Sequence, residues 1–427
     1  MRKNQCFFFV LYCVLFISCE KKSKSPAVSA AQKQSDTSTV TSVSSADMSV
    51  VPAVPLDDFT SKAREIVEKL KQKDYAGILA EFDAAMAKML DETRLKATWE
   101  QLTSQTGNIQ RQVSATREVT GLHQITFGVE PFLLPGVLCL PKNVTGPYVA
   151  AVLIHGSGQN DRDETIGPNK PFRDIAYGLC SAGFAVLRYD KRSKVHAALM
   201  MKDANRIDLN SETIDDVKSA IVFLEKDNRI RKNKIVIIGH SLGAMAAPAI
   251  ARDLPTVAGA ILLAANARPL EDLVVDQVRF LSNQDGRITD EEQKVLEKIE
   301  QQAKKIRDPE LRPDTPPSEL LLGLPASYWL YLRNYDPVKV AKNLTLPMLF
   351  LQGSRDYQVS VEKDFHWWNK ELKDHPNVRF HLFEGLNHLF MPGEGIPGPT
   401  EYMKPGRVAP EVIKIIIEFM KEVGGES

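Results

Sequence analysis

Four branched aliphatic residues, Ile235-Val236-Ile237-Ile238, run straight into Gly239-His240-Ser241-Leu242-Gly243, and Ala244-Met245-Ala246-Ala247 follow at once. An unbroken β-branched run of this kind reads as a strand buried on both faces. The alanine-rich segment reads as a helix. The five residues between them must therefore turn a buried strand into a helix within one tight loop. Such a turn crowds the backbone at its flanks, where Gly239 and Gly243 carry no side chain. A strand that feeds directly into a helix fits a strand–helix–strand order.

The same alternation extends along most of the chain. Residues 125–129 and 133–140 read as a hairpin-like pair, and residues 149–154 are continuously apolar. Further strands are predicted at 184–189, 235–239, 258–264, 348–352 and 379–383. Ile214, Val217, Ile221 and Leu224 form one helical stripe; Thr213 is placed to cap it, with Asp215 and Asp216 at its positive end. The predicted class is α/β: a mostly parallel sheet flanked by helices on both faces. Residues 268–343 interrupt the rhythm. They hold polar helical runs, then Pro313, Pro316 and Pro317, then Tyr328, Trp329, Tyr331 and Tyr335. An insertion of this length is expected to form a helical cap over the carboxyl edge of the sheet, where ligands bind in open α/β folds. The alternative is a helical decoration whose aromatics pack on the body.

Ahead of this region the texture differs. Arg2 and Lys3 precede an apolar run from Phe7 to Ile17, which is too short to span a bilayer, and then Ser18 and Cys19. Basic, then apolar, then small is the order of a secretory signal. Residues 1–19 are therefore read as a signal peptide. Residues 20–55 are rich in Ser, Thr, Ala, Lys and Val and read as a flexible tether. Residues 56–119 show helical spacing, with Phe59, Ala63, Ile66, Val67 and Leu70 followed by Ile78, Leu79, Phe82 and Met86, and read as a small, mainly helical N-terminal domain. The body, 120–427, keeps only Cys139 and Cys180, which read as buried free thiols. Lys plus Arg and Asp plus Glu balance at 54 each, so no global field points to nucleic acid. Neither an HExxH nor a Cys/His cluster predicts a metal, and Gly156-Ser157-Gly158 lacks the Lys-Ser/Thr of a phosphate loop, so no cofactor is expected.

Gly239-His240-Ser241-Leu242-Gly243 fits the G-x-S-x-G nucleophile elbow, in which a sharp turn presents a serine beside a base. His155-Gly156-Ser157-Gly158 follows the predicted strand 149–154. Gln352-Gly353-Ser354-Arg355-Asp356 follows 348–352, and Glu384-Gly385-Leu386-Asn387-His388 follows 379–383. These motifs resemble those of the α/β-hydrolases, over roughly residues 120–423. The resemblance implies Ser241 as nucleophile, Asp356 as acid and His388 as base, in the chain order of that superfamily. It implies backbone N–H groups of Ser157 and Leu242 as the oxyanion hole. Asp336 and Glu384 are fallback acids; His366, His375 and His381 lie in helix-like or strand-like contexts.

Asn160-Asp161-Arg162-Asp163-Glu164 and Arg188-Tyr189-Asp190-Lys191-Arg192 look like a bacterial subgroup related to dienelactone hydrolases and acyl-peptide-type hydrolases. The first run is expected to brace its loop by ion pairs, and Asp190 and Arg192 to support the catalytic loops. Serine stands in the elbow where dienelactone hydrolases use cysteine, which argues against dienelactone as substrate. Asp74-Tyr75, Phe82-Asp83 and Trp99 look like the small domain of unknown function found ahead of some bacterial α/β-hydrolases.

The expected activity is hydrolysis of a carboxylic ester through an acyl-serine, on a small-molecule or saccharide-linked substrate, with Trp329 and Phe390 as candidate pocket residues. A serine aminopeptidase on the same fold, or a non-catalytic surface binding protein, are the alternatives. Leu15-Phe16-Ile17-Ser18-Cys19 also resembles a bacterial lipoprotein box, which would make Cys19 a lipid-bearing residue. An exported protein, periplasmic or at the cell surface and anchored to a bacterial membrane, is the corresponding expectation.

Overall fold

The computed structural model describes residues 121–142 and 144–425, and residues 69–70, 72–79, 93, 95 and 96 ahead of them. The signal-like leader, Cys19, the tether and most of 56–119 lie outside the described residues. The chain divides into two compact units, Lys21–Glu118 and the remainder. In the first, a short helix spans Tyr75–Leu79, and the Asp74 carboxylate caps it by accepting from the Gly77 amide at 2.9 Å.

The second unit is built on one eight-stranded sheet of order β1-β2-β4-β3-β5-β6-β7-β8. Its strands are β1 (Leu122–Val129), β2 (Phe132–Cys139), β3 (Tyr148–Ile154), β4 (Ala185–Tyr189), β5 (Ile230–His240), β6 (Val257–Leu263), β7 (Met348–Gly353) and β8 (Val378–Phe383). β1 and β2 form the hairpin and β2 joins β4 antiparallel. From β4 to β8 every pairing is parallel. The carboxyl ends of six strands therefore lie on one edge. This is the α/β-hydrolase fold that the motifs imply.

The strand period explains the layers. On β5, Ile235 and Ile237 face one core cluster while Val236 and Ile238 face the other. The first cluster is closed by α2 (Asp215–Glu225) and α3 (Leu242–Asp253), the second by α1 (Pro171–Ser181) and α8 (Pro410–Gly424). With both faces covered, alternation gives way to the continuous apolar runs seen in the sequence.

The insertion contributes α4 (Leu270–Ser282), α5 (Asp290–Arg307) and α6 (Ala326–Arg333) between β6 and β7. Thr289 and Glu292 form a reciprocal capping box at the start of α5. α7 (His366–Leu372) precedes β8. Gln277 donates to the Gln358 carbonyl at 3.1 Å, and Gln284 to that of Pro397 at 2.9 Å. Phe280 stacks on Tyr357 with ring centres 5.2 Å apart. The insertion thus rests against the loops that follow β7 and β8.

Two sequence readings are corrected. Thr213 does not cap the helix before β5: it is buried one turn inside, within a wide turn spanning Asn210–Ile214, and its hydroxyl finds no partner among the described residues. Asp208 caps instead. Its carboxylate accepts from the Ser211 amide at 2.7 Å, and its own amide donates to Ser211 Oγ at 3.0 Å. Nor are Cys139 and Cys180 free thiols. They form a disulfide that ties β2 to α1, with Cα atoms 6.2 Å apart. Neither partner is near the other in sequence, so only the packing of α1 on the sheet reveals the pair. Closing a loop of 41 residues restricts the unfolded chain and is worth about 4 kcal/mol at most. Reduction, or the pair Cys139→Ala and Cys180→Ala, is expected to lower unfolding free energy by roughly 2–4 kcal/mol in a denaturant titration.

Candidate active site

The turn after β5 has the conformation its sequence requires. Ser241 holds φ 52° and ψ −116°, a costly conformation for a residue with a side chain. A Cβ on Gly239 would collide with the Gly243 carbonyl, and one on Gly243 with the carbonyls of Ile154 and His155. Both glycines are therefore needed for β5, α3 and the end of β3 to meet. The Ser241 amide donates to the Leu263 carbonyl at 2.9 Å, which pins the strained residue to β6.

The parallel sheet brings the remaining groups to the same edge. Asp356 follows β7 and His388 follows β8, and the two loops are tied by the Arg355 amide donating to the Leu386 carbonyl at 2.9 Å. His388 Nδ1 lies 2.7 Å from Asp356 Oδ2, with both side chains buried. A carboxylate can only accept here, so Nδ1 carries the proton and Nε2 is the basic nitrogen. Gln352 donates to the same Oδ2 at 2.9 Å, while the Gln358 and Val359 amides donate to Oδ1 at 2.8 and 3.0 Å. Four donors hold this carboxylate in one orientation.

His240, next to Ser241, ties the turn after β5 to the loop that carries His388. Its Nε2 donates to the His388 carbonyl at 2.9 Å, and the two rings lie 4.6 Å apart. Among the described residues Ser241 Oγ closes no hydrogen bond with His388 Nε2; such contacts are often long in a free enzyme and tighten with substrate.

Ser157 and Leu242, the oxyanion candidates, flank the turn after β3 and the turn after β5. A Cβ on Gly156 would come 3.2 Å from Ser241 Cβ, so the turn after β3 lies beside Ser241. Neither the Ser157 nor the Leu242 amide donates to any described residue.

The loop after β3 is braced by ion pairs: Arg162 pairs with Asp190 at 2.7 Å, and Asp163 with Lys170 at 3.0 Å and with Arg188. Arg192, after β4, pairs instead with Asp216 of α2. Glu164 Oε1 accepts from the Gly156 amide at 2.7 Å, and its Oε2 lies 3.0 Å from His240 Nδ1. Burial opposes charge on both members, yet His240 draws the Glu164 pKa below its ordinary value and Glu164 holds the His240 pKa above its own. This buried pair was not visible in sequence, where Glu164 reads as one acid in a charged loop. Gln352 and Lys191 were missed likewise. The one available signal is position, since each ends or follows a strand at the carboxyl edge.

His155 is structural. Its Nε2 donates to the Asp161 carbonyl at 3.0 Å and its ring packs on Phe172 and Tyr189. Burial lowers its pKa to about 4, outweighing the opposing pull of Glu164. The unfolded chain then binds a proton that the fold refuses, so the stability His155 contributes is present above about pH 6.5 and is lost as pH falls toward 4. The loss reaches about 3 kcal/mol. Thermal unfolding across this range should be flatter for His155→Gln than for the wild type.

The aromatic candidates lie deep. Trp329 is 1% exposed, and its indole nitrogen has no partner among the described residues. Phe390 is 2% exposed, adopts φ 58° and meets Phe383 edge-on at 6.2 Å. Trp368 is buried and donates to the Ala265 carbonyl at 2.9 Å, whereas Trp367 is exposed.

The family described as serine aminopeptidase, S33, matches residues 169–394, more than half of the chain and a span holding Ser241, Asp356 and His388. The chain belongs to this family. The S33 hydrolase is also 43% identical over 288 residues to esterase EstD of Thermotoga maritima, covering 67% of this chain and 65% of the esterase. It thus spans slightly less than two thirds of that relative's length. Among solved structures, Est1E from Butyrivibrio proteoclasticus aligns at 16% identity with a TM-score of 0.45, over 71% of this chain and 99% of Est1E. The 2,6-dihydroxy-pseudo-oxynicotine hydrolase aligns at 16% identity with a TM-score of 0.46, over 85% of this chain and 86% of that one. Likenesses of that strength bear on neither substrate nor mechanism.

Proposed function

We propose that this S33 hydrolase cleaves carboxylic esters through an acyl-Ser241 intermediate. The observation that carries the reading is the buried Asp356–His388 hydrogen bond, which leaves Nε2 as the basic nitrogen of a ring 4.6 Å from that of His240, the neighbour of the strained Ser241. His388 takes the Ser241 proton as the hydroxyl attacks the carbonyl, then returns it to the leaving alcohol. Asp356 fixes the tautomer and stabilises the imidazolium. The Ser157 and Leu242 amides receive the oxyanion, each worth roughly 3 kcal/mol of barrier. Water, deprotonated by the same His388, then releases the acid. Insertion 268–343 acts as a cap over this edge, with Trp329 and Phe390 behind the pocket wall. The identity to EstD supports an ester as the bond cleaved.

The family's description favours a second reading, an aminopeptidase. That activity needs an acid to hold the substrate ammonium. Glu164 is committed to His240 and the Gly156 amide and Asp163 to Lys170 and Arg188, which leaves Asp161, bonded to Thr165 and the Asp163 amide, as the one carboxylate of this loop with no ion pair among the described residues. A panel of p-nitrophenyl esters against aminoacyl p-nitroanilides separates the two. The expected result is ester kcat/KM at least a hundredfold above anilide; faster anilide cleavage would reverse the assignment.

We further propose export, with Cys19 as a lipid-bearing residue. The Cys139–Cys180 disulfide supports an oxidising compartment. Incorporation of a fatty-acid analogue into the wild type but not into Cys19→Ser checks it.

A further inference from the structure

Lys191 is a buried cation that the proposed chemistry does not use. It follows β4, which lies beside β3 in the sheet, and is only 1% exposed. Its ammonium donates to the Gly156 carbonyl at 3.0 Å and pairs with Glu212 Oε1 at 3.1 Å. The other Glu212 oxygen accepts from the Tyr328 hydroxyl at 3.0 Å. Tyr328 belongs to α6 of the insertion and is itself buried. Asn160 Nδ2 adds a weaker contact to the same Gly156 carbonyl, at 3.2 Å.

The carbonyl of Gly156 and the amide N–H of Ser157 are two ends of one planar trans peptide, and they point in opposite directions. Whatever pins the carbonyl aims the N–H. A cationic donor on that oxygen also polarises the amide and strengthens its N–H as a donor. Burying an ammonium is costly without compensation, and here one carboxylate and one carbonyl supply it. The Gly156–Ser157 turn sits beside Ser241, and the Ser157 N–H is free of protein acceptors among the described residues.

We infer that Lys191 is a positioning residue for the oxyanion hole, holding the Gly156–Ser157 peptide so that the Ser157 N–H faces the developing oxyanion, with Tyr328 and Glu212 anchoring it to the insertion. This rests on the ester-hydrolase reading above. It assigns to one lysine an effect on the transition state but not on substrate binding, because the oxygen it serves acquires full charge only there.

The test compares wild type, Lys191→Met and the double variant Lys191→Met/Glu212→Gln, which removes the carboxylate left unpaired by the first change. Each is assayed with a p-nitrophenyl ester and with a trifluoromethyl ketone, whose serine adduct carries the oxyanion. A loss of about tenfold to a hundredfold in kcat is expected, below the cost of deleting an oxyanion donor outright. KM should stay within about twofold, and the ketone Ki should rise in step with the fall in kcat. Tyr328→Phe should move kcat and Ki the same way by a smaller factor. A folded double variant with wild-type kcat and ketone Ki overturns the inference, as does a loss confined to KM. A wild type that neither turns over esters nor forms the ketone adduct overturns the underlying reading instead.

Discussion

Ser241→Ala is expected to lower ester kcat by roughly a millionfold, the scale seen when a triad nucleophile is removed. Folding should be nearly untouched. The Ser241 amide still reaches the Leu263 carbonyl, and alanine occupies the same positive-φ position at similar strain. Urea unfolding should therefore give a midpoint close to that of the wild type while turnover collapses. A comparable loss in both would mean that the elbow is a structural turn.

Asp356→Asn carries the second large effect, about ten-thousandfold in kcat. An amide has one accepting and one donating end. The Gln358 and Val359 amides both need an acceptor on one side of residue 356. Satisfying them points the asparagine NH2 at His388 and Gln352, which are both donors now. His388 must then move its proton to Nε2 and ceases to be a base toward Ser241. The opposite orientation leaves two buried backbone donors facing an NH2. Either way the variant loses about 1–3 kcal/mol of stability as well, measurable by calorimetry. Asp336 cannot substitute as acid from its present position, since its carboxylate caps the helix Pro337–Ala341 by accepting from the Lys339 amide at 2.9 Å. Turnover unchanged in Asp356→Asn would place the acid elsewhere.

The legible parts of this chain are those in which sequence and structure are local. Apolar runs gave the parallel strands because burial on both faces removes alternation. Gly239 and Gly243 marked the elbow because no other residue fits those crowded positions. Asp356 and His388 stand out because each follows a strand at the edge where parallel carboxyl ends collect. What stayed hidden is settled by packing across the sheet. Cys139 and Cys180 meet only when α1 docks, Glu164 meets His240 across adjacent strand ends, and Lys191 finds Gly156 because β4 lies beside β3. The helix cap shows a subtler failure: the apolar stripe began at Ile214, but the helix starts a turn and a half earlier, where Asp208 and Ser211 bond reciprocally.

Activation of one serine by His388 is tested most directly by mapping a covalent adduct. The protein is treated with a fluorophosphonate, digested and analysed by mass spectrometry. One adduct per chain on the peptide bearing Ser241 is expected, formed quickly in the wild type and at least a hundredfold more slowly in His388→Ala. Full ester turnover with the adduct on another residue, or equal labelling rates with and without the imidazole, would contradict it.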